Sequence, residues 1–439
     1  MLAQFLKFII RIGIRLYYAE VRVNNKHHLN PENQPLIIIA NHPNTLIDAW
    51  VIGMLCKQPI YFMAKATFFD SKFKKKLLSA LNMIPINRKS EAKTKGVSNQ
   101  DSLNACYQIL GEGKTLVVFP EGTSYKERVL RELKTGTARI ALETEKLHEG
   151  KLNLQVVAVG INYSQSEKFR SNILIDIDKP QDIKEYYELY LKDKKEAVVQ
   201  LTNDFRQRLE RVLVTTETKE EEQLIEDVYN ILNTKYIPSD DKGVQREVKE
   251  LKEIKNHLDE KKLLQPWRIE EIRQKVKAID WKLEKMKIRA DFLDRKFRSL
   301  LFFRQLLTSL LFVVFALPLA FFGLIHNYGQ YVFTDWLVPK ISKDIEYYAP
   351  LAIMIGFVLY PAVYFSFLYL AYFWFDFHWL GLLIYFTLMP LTGVFAYWFF
   401  KYLKHISYKW RYMLLMMDHK NMIKEIQEER QMLKVLIFE

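Results

Sequence analysis

Between residues 301 and 400 the chain carries three long apolar runs. Leu306–Ile325 spans 20 residues without a charge, Tyr348–Phe375 is longer and also uncharged, and Leu380–Phe400 is a third. A helix of about 20 apolar residues is long enough to cross roughly 30 Å of hydrocarbon. Three such runs within one hundred residues predict membrane-spanning helices rather than buried core helices. Pro318, Pro361 and Pro390 are expected to kink or interrupt them. Asp376 is the only charge between the second and third runs, so those two are expected to form a tight hairpin. Arg295, Lys296, Arg298 and Arg304 flank the first run, and Lys401, Lys404, Lys409 and Arg411 follow the third. Positive residues favour the cytoplasmic side, so both flanks point inward. Three full crossings would separate them. Either one run is re-entrant, or the basic tail lies across the interface.

The rest of the chain is not membrane-like. Hydrophobic residues make up 49% of the sequence and charged residues 26%, so wet and dry parts must alternate. A net charge of +13 suits an anionic membrane or nucleic acid. No nucleic-acid-binding motif is visible, and the charge lies beside apolar runs. Cys56 and Cys106 have no metal-ligand spacing and form no disulfide framework, so both are expected to be reduced, buried thiols. In the first residues Lys7, Arg11 and Arg15 recur four apart, with Phe5, Phe8, Ile9, Ile12 and Leu16 mostly on other faces. That pattern predicts an amphipathic helix lying in a membrane interface, within residues 1–24.

Residues 25–215 alternate apolar strands with helical segments. The expected strands are PLIIIAN, PIYFMAK, NMIPINR, KTLVVFPEG, LQVVAVGINY and NILIDID, with helices over NQDSLNACYQILGEG and TGTARIALETEKL. This alternation predicts an α/β domain with a mainly parallel sheet flanked by helices. Residues 216–300 are long, charge-rich and helical, punctuated by Pro238 and Pro266, with Leu251, Ile254 and Leu258 at helical spacing. They predict a helical hairpin, coiled-coil-like, that offers a surface for an oligomer. The transmembrane region over 301–400 and a basic, amphipathic helical tail over 401–439 complete the expected order.

Four short elements in the α/β region carry chemistry. The first, NHPNTLID, follows a strand. A neutral imidazole at His42 can take a proton from a hydroxyl, and a carboxylate at Asp48 can fix its tautomer. The spacing is awkward: on a regular helix, six residues turn about 600°, leaving the side chains about 120° apart. Pro43 fits the first turn of a helix, so His42 is expected at or before the helix start, with Asp48 reaching back from about one and a half turns in. The second element, IPINRK, puts Arg88 after a strand, where its fork suits a phosphate dianion. The third is VVFPEGTSYKE. Strand ends in parallel sheets are where ligands bind. Gly122 lets backbone approach a ligand, Glu121 can accept hydrogen bonds from hydroxyls, and Thr123 and Ser124 can bind phosphate. The fourth, VVAVGINY, is a strand that can wall a channel. No His/Cys/Asp cluster has metal-ligand spacing, so no metal and no resident cofactor are expected.

Taken in order, these elements resemble the four blocks of the glycerophosphate/lysophosphatidate acyltransferases, the PlsC-like family. The resemblance covers roughly residues 15–215. FPEGTS matches the third block fully and IPINR the second well. The stretch AKATFFDSKFKKKLLSALNMIPINR, with Lys65, resembles the approach to the second block. ELKTGTARIALE resembles the basic, glycine-containing helix start after the third. Ala158 stands where the fourth block often has proline. Most members place four residues between histidine and aspartate; here there are five, Pro43–Ile47. That H-x-N-x-x-x-D form resembles the subgroup containing fungal glycerol-3-phosphate/dihydroxyacetone-phosphate acyltransferases, which also carry hydrophobic segments after the catalytic domain.

The resemblance implies an integral membrane enzyme of phospholipid synthesis with its catalytic domain on the cytoplasmic face. His42 would be the general base and Asp48 its partner. Arg88 and Lys65 would hold the phosphate, while Glu121, Gly122 and Thr123 shape the acceptor site. The donor would be acyl-CoA or acyl-carrier protein, the acceptor a glycerophosphate, with glycerol 3-phosphate favoured. Lysophosphatidate or an amino-acid-containing lyso-lipid is the alternative acceptor. A catalytically inert membrane-tethered scaffold is the rival of a different class.

Overall fold

A computed structural model describes residues 2–29, 34–87, 98–232, 243–294 and 299–439. It divides into two compact units. The first comprises Met1–Lys219, Lys242–Val248 and Asp344–Pro350. Its strands are β1 (Glu20–Asn24), β2 (Leu36–Ala40), β3 (Ile60–Lys65), β4 (Met83–Ile86), β5 (Thr115–Val118), β6 (Gln155–Tyr163), β7 (Asn172–Ile177) and β8 (Gln181–Asp182). The helices between and around them are α1 (Leu2–Tyr17), α2 (Thr45–Leu55), α3 (Lys72–Ala80), α4 (Asn99–Gly111), α5 (Gly136–Leu147), α6 (Lys184–Lys192) and α7 (Lys194–Val212). In space the strands run β1-β7-β6-β2-β5-β3-β4, with β8 on β6. Only the pairings of β6 with β7 and β8 are antiparallel. The expected α/β domain with a mainly parallel sheet is therefore the observed one.

The sequence LIIIA of β2 is buried at every position. A central parallel strand must be apolar on both faces, because helices cover both. On one face Leu110 of α4, Leu142 of α5 and Leu201 and Phe205 of α7 join Ile37 and Ile39 in a single core. Each such side chain contributes roughly 1.5–3 kcal/mol on burial. Among the described residues, Arg208 of α7 is the largest fully buried side chain. Its Nε donates to Asp178 at 3.0 Å and its Nη1 to the Val156 carbonyl at 2.9 Å. Asp178→Ala leaves that guanidinium buried and short of its counter-charge, so it is expected to destabilise this unit by about 3–5 kcal/mol, read as a drop in chemical-denaturation midpoint.

The six expected strands are all present, and two short strands, β1 and β8, add to them. The N-terminal helix ends at Tyr17, and Glu20–Asn24 is already sheet. The EVRVN strand is half-buried throughout and has little apolar signal. On α1, Phe5, Phe8, Ile12 and Leu16 are exposed while Ile14 and Tyr17 face the protein. Cys56 and Cys106 are free and buried, and burial pushes both thiols up to about 12.

The second unit comprises Glu220–Asp241, Lys249–Lys343 and Leu351–Glu439. Its helices are α8 (Lys219–Leu232), α9 (Gly243–Leu264), α10 (Pro266–Met286), α11 (Ser299–Ile341), α12 (Tyr348–Phe375), α13 (Trp379–Asp418) and α14 (Lys420–Phe438). Pro238, Arg295, Lys296 and Arg298 lie outside the described residues. The sequence pattern suggests helix through Phe297, but α10 stops at Met286. Lys287 turns left-handed at φ 50° and its N–H caps the Glu284 and Leu283 carbonyls. No glycine or proline marks that stop; the burial of Ile288 and Phe292 beyond it does. Leu251, Ile254 and Leu258 of α9 are buried within the chain.

Helix α14 packs on α10. Lys282 pairs with Glu425 and Glu429, each at 2.7 Å. Arg430 is buried, donates to the Ile231 carbonyl of α8 at 2.7 Å and pairs with Asp294.

Among the described residues, three helices, α11, α12 and α13, are long and apolar enough to cross a membrane. Pro318, Pro361 and Pro390 sit inside continuous helices rather than ending them. Neither α11 nor α13 stops at the end of its apolar run. Gly323 lets α11 meet α13 closely, since a Cβ there would strike the backbone at Thr392. His326 donates or accepts with the Tyr385 hydroxyl at 2.6 Å, and Asn327 donates to the Met389 carbonyl at 2.9 Å. Side-chain polar groups at membrane depth thus find partners on the neighbouring helix.

Candidate active site

The parallel pairing of β2 with β5 matches Ile39 with Val118. Each strand then runs out at the same rim, with His42 three residues after Ile39 and Glu121 three residues after Val118. The Tyr125 N–H donates to the His42 carbonyl at 3.2 Å and ties the two loops together. On the other side of β2, the Asn41 side chain takes over from the strand. Its Oδ1 accepts from the Ile161 N–H at 2.8 Å and its Nδ2 donates to the Ile161 carbonyl at 3.1 Å.

His42 stands before the helix. Helix α2 begins at Thr45 with Asn44 as its N-cap. Pro43 is therefore not in the first helical turn; it lies in the bend between strand and helix. Asp48 is in the first turn, nearer the start than the spacing suggests. The bend carries strain: Thr45, a β-branched residue, has φ 37°. Its hydroxyl donates to the Glu346 carbonyl at 2.9 Å, and the Glu346 carboxylate accepts the Lys126 N–H at 3.2 Å. Residues 344–350 thus bridge the two loops of this unit, a contact from the far end of the chain that no local pattern announces.

The bend brings the pair together. His42 Nδ1 lies 2.9 Å from Asp48 Oδ2. A carboxylate only accepts, so Nδ1 carries the hydrogen and Nε2 presents its lone pair. Among the described residues, nothing hydrogen-bonds to Nε2. The imidazole stacks on Phe119 at 3.9 Å between centroids and 10° between planes, which fixes the ring. Its side chain is 16% exposed while that of Asp48 is fully buried. Asp48 is also held by the Asn44 N–H at 2.7 Å on Oδ2 and by the Tyr163 hydroxyl at 2.7 Å on Oδ1.

Glu121 is buried, and both carboxylate oxygens meet backbone donors. Oε1 accepts the His42 N–H and Oε2 the Arg131 N–H, each at 3.3 Å. Burial pushes its carboxyl above the usual range, and those two N–H groups oppose the rise. In this arrangement Glu121 braces the His42 loop. Gly122 has φ 76°, which favours glycine, and its N–H closes a turn onto the Phe119 carbonyl at 3.0 Å. The Lys134 side chain folds over it, in the space a Cβ would fill. Thr123 is half-buried on the same loop. Lys65 ends β3 at the same rim, two strands from β2, or roughly 10 Å. Arg88 lies outside the described residues. Among the described residues, no group of three or more His, Cys, Asp or Glu side chains is placed to hold a metal ion.

The structure thus joins His42, Asp48 and Glu121, and puts Gly122, Thr123 and Lys65 on the same rim. Asn41, Asn44, Tyr163 and Lys134 belong to the site as well. Asn41 and Asn44 flank the histidine in sequence, and their side-chain chemistry was the available signal. Tyr163 had none.

Residues 20–162 match the family model described as Acyltransferase. The chain is 36% identical over 98 residues to an uncharacterised acyltransferase of Schizosaccharomyces pombe, covering 22% of this chain and 14% of that one. It is 30% identical over 137 residues to a probable 1-acyl-sn-glycerol-3-phosphate acyltransferase of Mycoplasma pneumoniae, covering 30% of this chain and 48% of that one. It is 28% identical over 133 residues to glycerol-3-phosphate O-acyltransferase 1 of Saccharomyces cerevisiae, covering 30% of this chain and 17% of that one. The chain spans less than half the length of these curated relatives.

Proposed function

We propose, from the acyltransferase-family domain over residues 20–162, that this chain is a membrane-bound glycerophospholipid O-acyltransferase. It moves a fatty acyl group from an acyl thioester, acyl-CoA or acyl-carrier protein, to a hydroxyl of glycerol 3-phosphate or a related glycerophosphate. One observation carries the reading: His42 and Asp48 are paired at 2.9 Å on the sheet rim with Nε2 unengaged.

In this reading the acceptor hydroxyl gives its proton to His42 Nε2 as its oxygen attacks the thioester carbonyl. The buried Asp48 carboxylate stabilises the imidazolium that forms. Backbone N–H groups stabilise the tetrahedral oxyanion. The intermediate collapses, the C–S bond breaks, and the leaving thiolate takes the proton back from His42. An ester and a thiol result, with no acyl-enzyme. Arg88 and Lys65 hold the acceptor phosphate, and Gly122 and Thr123 line its glycerol portion.

The three apolar helices and the exposed apolar stripe of α1 support attachment to the bilayer. Basic residues before the first apolar run, Arg304 among them, support a cytoplasmic catalytic face. The test is an acceptor screen with the full chain in nanodiscs and both donors. Turnover with glycerol 3-phosphate is expected. Preference for 1-acylglycerol 3-phosphate would replace the acceptor, and turnover only with phosphate-free acceptors would remove Arg88 and Lys65 from their roles. Inactivity with every pair would favour the scaffold reading.

A further inference from the structure

We propose that Tyr163 is a positioning residue of the proton-transfer pair: its hydroxyl clamps one oxygen of Asp48 so that the other faces His42. The proposal rests on His42 being the base.

The clamp follows from the sheet. β6 pairs with β2 only as far as Ala40↔Val159, yet continues to Tyr163. Four more residues at 3.3 Å carry it roughly 13 Å past that pair. The overshoot brings its last side chain beside the first turn of α2, where Asp48 stands. There the hydroxyl donates to Asp48 Oδ1 at 2.7 Å, across 115 residues of sequence. The other oxygen, Oδ2, receives His42 Nδ1 at 2.9 Å and the Asn44 N–H at 2.7 Å. Without Tyr163, Oδ1 has no donor among the described residues, and the carboxylate loses its tether on that side.

Tyr163 is itself held. It is buried, and its ring packs on Tyr18 at 5.8 Å between centroids. The Tyr18 hydroxyl donates to the Ser166 carbonyl at 2.9 Å and accepts from Asn44 Nδ2 at 2.9 Å. Asn44 thus grips this layer with its side chain and Asp48 with its backbone. Burial, and then the charge of Asp48, push the Tyr163 hydroxyl well above its ordinary range. It therefore keeps its proton and only donates to the carboxylate.

Two effects follow for Tyr163→Phe, which keeps the ring and removes the hydroxyl. The carboxylate gains freedom to turn away, so kcat falls. It also loses a donor that shares its charge, so it favours the imidazolium more strongly. The base is then protonated at higher pH, and the acid limb of kcat/KM moves up.

The test uses the full chain in nanodiscs. Tyr163→Phe is expected to lower kcat about tenfold, with KM changed less than about twofold, equivalent to one lost hydrogen bond. The acid limb is expected to rise by about 0.5–1 pH unit. In an Asp48→Asn background the same change is expected to cost less than about twofold, because the carboxylate charge it positions is gone. 3-Fluorotyrosine placed at 163, a stronger donor, is expected to move the limb down instead. That variant keeps the test open should the phenylalanine variant not fold. An unmoved limb in both variants, or an undiminished loss in the Asp48→Asn background, would overturn the proposal. His42→Ala separates the two readings: if it stays active, the base assignment fails first; if it is inactive while both Tyr163 variants behave as wild type, only the clamp fails.

Discussion

His42→Ala lowers acyl transfer by at least about 10³-fold in the expected result, the upper range for removing a general base. Among the described residues at the rim, the imidazole presents an unengaged nitrogen on a ring whose other nitrogen is committed. Nδ1 is tied to Asp48 at 2.9 Å and the ring is stacked on Phe119. Alanine removes the proton acceptor and leaves Asp48 buried below the surface, where it cannot substitute. Binding should survive, since the residues read as phosphate and glycerol contacts are elsewhere. Steady-state kinetics should therefore show the loss in kcat, with KM nearly unchanged. Wild-type turnover in this variant would remove His42 from the chemistry.

Asp48→Asn is the second large effect expected, a loss of about 10²–10⁴-fold in kcat, on the precedent of an aspartate partner replaced by its amide in a histidine-based site. Three donors converge on Asp48: His42 Nδ1, the Asn44 N–H and the Tyr163 hydroxyl. An amide has one accepting oxygen and one NH₂. If that oxygen faces Asn44 and His42, the NH₂ meets Tyr163, which can turn its hydrogen away. If the NH₂ faces His42, the imidazole must present a lone pair at Nδ1 and carry its hydrogen on Nε2. That is the wrong tautomer for a base. Either way the counter-charge for the imidazolium is lost. The site is fully buried, so a thermal melt beside the kinetics separates lost folding from lost chemistry. Near-normal kcat in a stable Asp48→Asn protein would reduce the aspartate to a capping role.

Local patterns made much of this molecule legible. The all-apolar LIIIA could only be a central strand, and the uncharged runs could only be buried or in lipid. The end of β5 placed Glu121 and Gly122 on the rim because a strand's direction is readable from its flanks. What escaped was set by register and by contacts between distant segments. Tyr163 reads as the last residue of a plain strand, and only the overshoot of β6 beyond β2 makes it a partner of Asp48. Pro43 has the chemistry of a first helical turn, yet the helix starts at Thr45, because hydrogen bonds hold Asn44 outside it: its side chain donates to the distant Tyr18 and Ser166 and its N–H to Asp48. The strand EVRVN alternates polar residues with only two valines, a short signal, and its edge position leaves it half-covered.

The packing of α14 on α10 fixes a parity. Helix α10 precedes the three long apolar helices α11, α12 and α13, and α14 follows them. Ion pairs from Lys282 to Glu425 and Glu429 require both helices to share one aqueous compartment. A chain that leaves and re-enters the same compartment crosses the bilayer an even number of times. Parity then predicts two full passes for the three apolar helices; each is continuous, so the third is expected to lie along the membrane rather than to loop back within it. That reconciles two basic flanks that a simple count of hydrophobic runs sets against each other. Cysteines placed at Lys262 and at Glu439, probed in sealed vesicles with a membrane-impermeant maleimide, are expected to report the same side. Opposite labelling would mean an odd count and would break the α10–α14 pair.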